Sequence, residues 1–387
     1  MQESLFPPDP AAAPAPPGQP GRRATASASK RAVGPAHDGA DDEADDGADD
    51  GADERIDAPA PGSPRTRGIQ PAVPTPETLA LAADLPSLIR LGGSTWSYPG
   101  WAGLVWDKPY SESQLARRGL QAYARHPLLR CVCVDRTFYR GLTVSQYEQL
   151  AQQVGDDFRF LVKGPALVCD AQMRDEQGRG RQVNPAFLDP DLALQDFVRP
   201  AMEGLGHKLG ALVFQLSPLP PAWLDRMDDC LARLDRLLSA LPDLPELHQR
   251  CPQGVIAIEV RDAQWLTDGF VQVLRRHGAS YCLGLHPKLP AIDDQLWVLR
   301  RLWPAPLVCR WNLHRRHGPF GYEDAEQRYG DYSRLVDPDP DTRRVLARVA
   351  RATAAAGWPV YIGISNHAEG CAPLSALALA AGIREAA

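Results

Sequence analysis

The sequence predicts a single (β/α)8 TIM barrel preceded by a disordered N-terminal tail. Three observations predict it: eight short strand-like runs, helix-forming segments with apolar three- and four-residue spacing between them, and an abrupt change of composition near residue 85. Eight βα units within residues 85–387 suit a closed parallel barrel better than a doubly wound open sheet, because no second subdomain is visible.

The strands are expected, in order, at 89–96 (IRLGGSTW), 130–137 (RCVCVDRT), 158–164 (FRFLVKG) and 209–216 (LGALVFQL). Four more follow at 254–261 (GVIAIEVR), 279–285 (ASYCLGL), 306–312 (PLVCRWN) and 358–365 (WPVYIGIS). SESQLARRGLQAYARH, TVSQYEQLAQQVG, PAWLDRMDDCLARLDRLLSAL and TDGFVQVLRRHG read as intervening helices. In PDTRRVLARVARATAAAG, Asp339 is placed to cap, Pro340 fits the first turn and Gly357 ends the helix. CAPLSALALAAG closes the series as a short eighth helix. Two long connections, 169–190 and 313–332, follow C-terminal strand ends, the end at which barrel enzymes place their sites. Arg174, Arg179, Arg181, Arg315 and Arg316 in them suggest a basic lid over an anion or a patch for nucleic acid.

Residues 1–84 read as a separate tail, first rich in Pro and Ala and then an acidic Asp-Gly-Ala repeat with little to bury. It carries a net charge of −8, so the remaining residues sum to +2 and the fold itself is close to neutral. That balance neither favours nor excludes direct nucleic-acid binding. No run of about 18 apolar residues occurs, and no basic segment followed by an apolar one opens the chain, so a cytoplasmic protein with no membrane span is expected. The eight cysteines lack C-x-x-C spacing and several lie in strand-like runs, which reads as reduced, buried thiols.

The stretch GVIAIEVRDAQWL carries the strongest chemical signal. Ile256, Ile258 and Val260 share one strand face, and Ala257, Glu259 and Arg261 share the other, with alternate residues about 7 Å apart. A strand buried on both faces is normally apolar throughout, so the two charges need each other or a ligand.

GGSTWSYPGWAG, DRTFYRG, FLVKGP, LVFQLSP, IEVRDAQWL and SNHAEGCAPLSALAL resemble, in order, the conserved segments of the YecE-like family, domain of unknown function 72. The resemblance runs from about residue 89 to 383 and implies a TIM barrel of unestablished activity. It places the family pattern on Trp96, Tyr98, Trp101, Thr137, Phe138 and Tyr139, then on Lys163, Gln215, Glu259, Arg261 and Trp265, and finally on Arg310 and Asn366. The chain departs from it at Cys133 and Asp135, where the family usually has Glu and Asn, and at Ser365, where an asparagine is common.

In a closed barrel, Glu259, Lys163 and Asp135 would meet at the C-terminal rim as candidate catalytic groups, with Arg261, Arg310, Gln215, Tyr139, Trp96 and Asn366 as candidate ligand-binding residues. Such a ring suits a small anionic or polyhydroxylated ligand and acid/base chemistry of the hydrolase, lyase or isomerase kind. The alternatives are that Glu259 and Arg261 form a core-filling salt bridge, or that the protein is a non-catalytic binding or adaptor protein linked to nucleic-acid transactions. His286, His314, His317 and His367 lack a metal-binding spacing, and no dinucleotide or phosphate-loop fingerprint occurs, so neither metal nor cofactor is expected. Gln2, Leu5 and Phe6 in MQESLF match the short peptide with which partners bind the bacterial sliding clamp, except that Glu3 stands where leucine is usual. Leu5 and Phe6 would anchor it and the tail would tether the barrel.

Overall fold

Each of the eight expected runs forms a strand, and in the computed structural model, which describes residues 68–174, 180–318 and 321–386, they close into a parallel barrel. In chain order the strands are β1 (Ile89–Gly93), β2 (Leu129–Val134), β3 (Arg159–Lys163), β4 (Gln172–Arg174) and β5 (Gly180–Val183). They continue with β6 (Leu209–Gln215), β7 (Val255–Glu259), β8 (Ser280–Leu285), β9 (Leu307–Trp311) and β10 (Val360–Ile364). β4 and β5 form an antiparallel hairpin inside the long connection that follows β3, and the other eight make the barrel. Pairing of Ile89 with Val360 through Gly93 with Ile364 closes the ring.

Alternation along the strands sorts side chains between two environments. Ile256, Ile258 and Val260 face outward into the layer shared with the helices, whereas Val255 and Ala257 face the lumen, as period two requires. The lumen's apolar middle is built from small or compact residues, among them Cys131, Leu161, Ala211, Ala257, Cys282 and Val308. Crowding there explains Gly92: a Cβ at that position would lie 1.8 Å from the Cys131 carbonyl oxygen, where β1 and β2 also shift register. All eight cysteines are free and buried, and burial pushes the Cys131 thiol up to about 12.

The helices follow their punctuation. Asp339 accepts from the Thr342 N–H at 3.0 Å and caps the helix Pro340–Ala355, and Gly357 follows with φ +84°. The segment 221–241 is broken into Pro221–Leu224 and Met227–Ala240. The closing helix is longer than expected, running Ala372–Glu385.

Ordered structure begins before the expected boundary at Leu85. Thr75 caps a helix, Pro76–Asp84, whose Leu81 is buried and which packs on the closing helix. The proline-rich composition upstream hides this short cap-and-proline signal. Gln2, Leu5, Phe6 and Arg179 lie outside the described residues. Among the described residues no helix is long and apolar enough to cross a membrane.

Candidate functional site at the C-terminal mouth

Parallel strands deliver their last inward-facing residues to one end of the lumen, and here those residues are Lys163, Gln215, Glu259 and Arg310, all buried. Arg310 organises them. Its Nη1 donates to Glu259 Oε2 at 3.0 Å and to Gln215 Oε1, while its Nη2 donates to Asp135 Oδ2 at 2.6 Å. One planar guanidinium therefore ties β6, β7, β9 and the residue after β2 together across the lumen, the fork geometry that arginine offers and lysine does not.

The expected Glu259–Arg261 pair is present, with Arg261 Nη2 3.2 Å from Glu259 Oε1, but it is only half of the arrangement. Arg261 lies just beyond the end of β7, whereas Arg310 reaches Glu259 from inside the ring and bonds it directly. Glu259 is fully buried between two arginines, and Cys282 Sγ donates weakly to its Oε2 at 3.9 Å. Asp135 is the more open carboxylate, with its side chain 30% exposed. Lys163 is buried and places its ammonium 4.0 Å from the centroid of the Phe138 ring. Below the ring, the Cys133 thiol is held well above the ordinary range, first by burial and then by the Asp135 charge.

Among the buried side-chain atoms at this end, Asp135 Oδ1, Asn312 Nδ2 and Asn366 Nδ2 have no hydrogen-bond partner, and Glu259 Oε1 is met only by the Arg261 ion pair. They follow or end four different strands, β2, β7, β9 and β10. The orientation of Asn366 is fixed, because its Oδ1 accepts from Trp101 Nε1 at 3.2 Å and from the Ala372 N–H at 2.8 Å.

The remaining expected site residues divide. Tyr139 is exposed in the turn after β2, in edge contact with Phe138. Trp96 is buried and donates to the Ala116 carbonyl at 3.3 Å, so its indole packs against the helix Glu112–Arg118. Trp101 and Trp265 are fully buried within the helix layer. Arg315 donates to the Leu289 carbonyl at 2.8 Å and Arg316 pairs with Asp337, so both are bonded within their own end of the barrel.

Sequence reasoning gave no role to an arc of rings beside the mouth. His286, Tyr322, His367, Tyr332 and Tyr98 follow one another with centroids 5.7, 5.3, 5.4 and 5.2 Å apart. His367 is set by Ser365 Oγ at 3.0 Å from Nδ1 and by Tyr332 Oη at 2.9 Å from Nε2. Tyr332 adopts φ +58°, a left-handed conformation that a bulky residue keeps only where its surroundings hold it. The density of Tyr in YEDAEQRYGDY was the available signal. Among the described residues no group of three His, Cys, Asp or Glu is arranged to hold a metal.

The family described as Protein of unknown function DUF72 matches residues 90–387. A DUF72 family protein from Enterococcus faecalis V583 is similar in structure, with a TM-score of 0.50 and 19% identity, over 76% of this chain and 95% of that one. Another, from Thermotoga maritima MSB8, has a TM-score of 0.47 and 18% identity over 75% and 97% of the two chains. At such identity the first of these likenesses speaks to fold alone, and no curated protein matches the chain. With the family match covering nearly the whole barrel, the chain belongs to the DUF72 family, whose function is unknown.

Proposed function

We propose that the C-terminal mouth binds a small polyhydroxylated or anionic molecule and performs acid/base chemistry on it, as a hydrolase, lyase or isomerase does. The observation that carries this reading is the set of polar atoms without a hydrogen-bond partner at the C-terminal end of the barrel, Asp135 Oδ1, Asn312 Nδ2 and Asn366 Nδ2, with Glu259 Oε1 held only by the Arg261 ion pair. An unsatisfied buried polar atom costs about 1–3 kcal/mol, and several at one end of a barrel are better explained by a ligand than by packing. One is an acceptor and two are donors, which suits hydroxyl groups, since each hydroxyl both donates and accepts. Arg310 is already bonded to Gln215, Glu259 and Asp135, so hydroxyl recognition accounts for the open atoms better than a phosphate does.

In this reading Asp135 and Glu259 transfer protons, Lys163 supplies positive charge, and Arg310 with Arg261 holds the carboxylates in place. The fold supports it by analogy, because barrel enzymes place catalysis at this end. A thermal-shift screen of the full chain against sugars, polyols, carboxylates and phosphate esters tests it. A hydroxyl-rich compound should raise the Tm of the native protein and lose that effect in Asp135→Asn, while Glu259→Gln should lose turnover with little change in Kd. If no compound acts, or if hits act equally on both variants, the mouth is a structural plug.

A further inference from the structure

We infer that the opposite, N-terminal end of the lumen is a separate binding site for a small oxyanion, of which inorganic phosphate is the simplest. Arg90 on β1 pairs in register with Tyr361 on β10, and Arg159 on β3 lies opposite Cys131 on β2. Strand alternation points both arginines into the floor of the lumen, below the apolar layer that contains Leu161 and Cys131. Both are more than nine-tenths buried.

Their bonds leave positive charge uncompensated. Arg90 donates to the Asp157 carbonyl at 2.9 Å and to its Oδ1 at 2.7 Å, leaving Nη1 buried and without a partner. Arg159 donates from its terminal nitrogens to the carbonyls of Asp156 and Phe158 and to Gln253 Oε1, leaving Nε in the same condition. Arg130, at the edge of the floor, shares Asp157 with Arg90 at 3.3 Å and has an unpartnered Nε too. Three guanidiniums thus face one carboxylate, and that carboxylate is 59% exposed. The nearby Asp156 carboxylate turns instead to His207 at 3.2 Å and Lys208 at 3.8 Å.

Buried like charges repel, and burial together with the Arg90 charge lowers the Arg159 pKa. An oxyanion removes both penalties at once, because it neutralises charge and accepts from several N–H groups, the geometry in which arginine excels. A second carboxylate would have served a purely structural plug, and among the described residues Asp157 alone is ion-paired with these arginines.

The experiment measures the Tm of the full chain against inorganic phosphate at constant ionic strength, with chloride as the balancing salt and sulfate as a second oxyanion. The expected result is a saturable rise of about 3 °C at tenfold the half-saturating concentration. The rise should persist in Glu259→Gln, which alters the mouth, and vanish in Arg159→Gln. No rise, or an equal rise in Arg159→Gln, overturns the proposal. Should Arg159→Gln fail to fold, Arg159→Lys retains the charge without the fork and is expected to weaken phosphate at least tenfold. Equilibrium dialysis of the native chain should then find about one bound phosphate that no mouth ligand displaces, and finding none overturns the site.

Discussion

The two ends of this lumen contain the same kinds of residue and use them differently. At the mouth, Arg310 is matched to Glu259, Asp135 and Gln215, so its charge and its hydrogen-bonding fork are both spent on neighbours. At the floor, Arg90 and Arg130 share one carboxylate while Arg159 bonds backbone carbonyls and Gln253, which satisfies donors without cancelling charge. On the proposed reading, a ring whose central arginine is bonded to two carboxylates suits a hydroxyl-bearing ligand. An unmatched cationic floor is prepared for an anion. What separates the two is the number of carboxylates within reach, and substitutions on either side should reveal it.

The largest effect is expected from Arg310→Ala. Removing this guanidinium strips Glu259 of its bonded partner in a fully buried place, and loss of one partner from such a pair costs about 3–5 kcal/mol. Chemical denaturation should show it as a lowered midpoint, whereas Arg159→Gln at the floor, which relieves repulsion, should change stability by less than about 1 kcal/mol in phosphate-free buffer. Equal losses at the two ends would erase the distinction.

A smaller loss follows from Gly284→Ala, where a Cβ would meet Leu289 Cδ1 at 2.7 Å and Glu259 Oε1 at 3.3 Å. Overpacking of this kind costs about 1–3 kcal/mol, and any mouth ligand should bind more weakly while phosphate binding at the floor is unchanged.

Smaller again is an acid effect on the mouth side alone. Asp337 accepts from Arg328 at 2.7 and 2.9 Å and pairs with Arg316, and the hydrogen bond from Arg328 leads the interactions that hold its carboxyl down at about 2. Because the folded value lies below the unfolded one, this contribution is present above about pH 4 and is lost as pH falls from about 4 to about 2. Asp337→Asn should flatten that part of the stability profile by about 1 kcal/mol. The smallest effect concerns the buried thiols, of which Cys131, Cys133 and Cys282 lie in the apolar middle between the two ends. None of the eight buried thiols should react with an aromatic disulfide reagent at pH 8 in the native state, and all eight should react in denaturant.

Much of the barrel was legible because strand alternation and helix punctuation are local. All eight barrel strands were placed to within a few residues, and the inward direction of Ala257 and Glu259 followed from period two alone. The β4–β5 hairpin escaped because GRGRQV and DAQMRD hold almost no β-branched or aromatic residues. In the mouth, membership could be read from strand ends, but partnership could not. That Arg310 joins Arg261 as a partner of Glu259 depends on reach across the ring from β9 to β7, which no sequence spacing encodes. The floor went unnoticed for a related reason: Arg90 and Arg159 look like ordinary strand-entry charges until ring closure brings them into the same end of the lumen.

The central claim, that the mouth is the place of ligand recognition, is tested most directly by hydrogen exchange on the full chain with and without the best compound from the screen. Protection is expected in residues 129–139, 255–266 and 307–313, and no change is expected at 86–91 and 156–160. Protection confined to the floor, or spread evenly over the barrel, would contradict it.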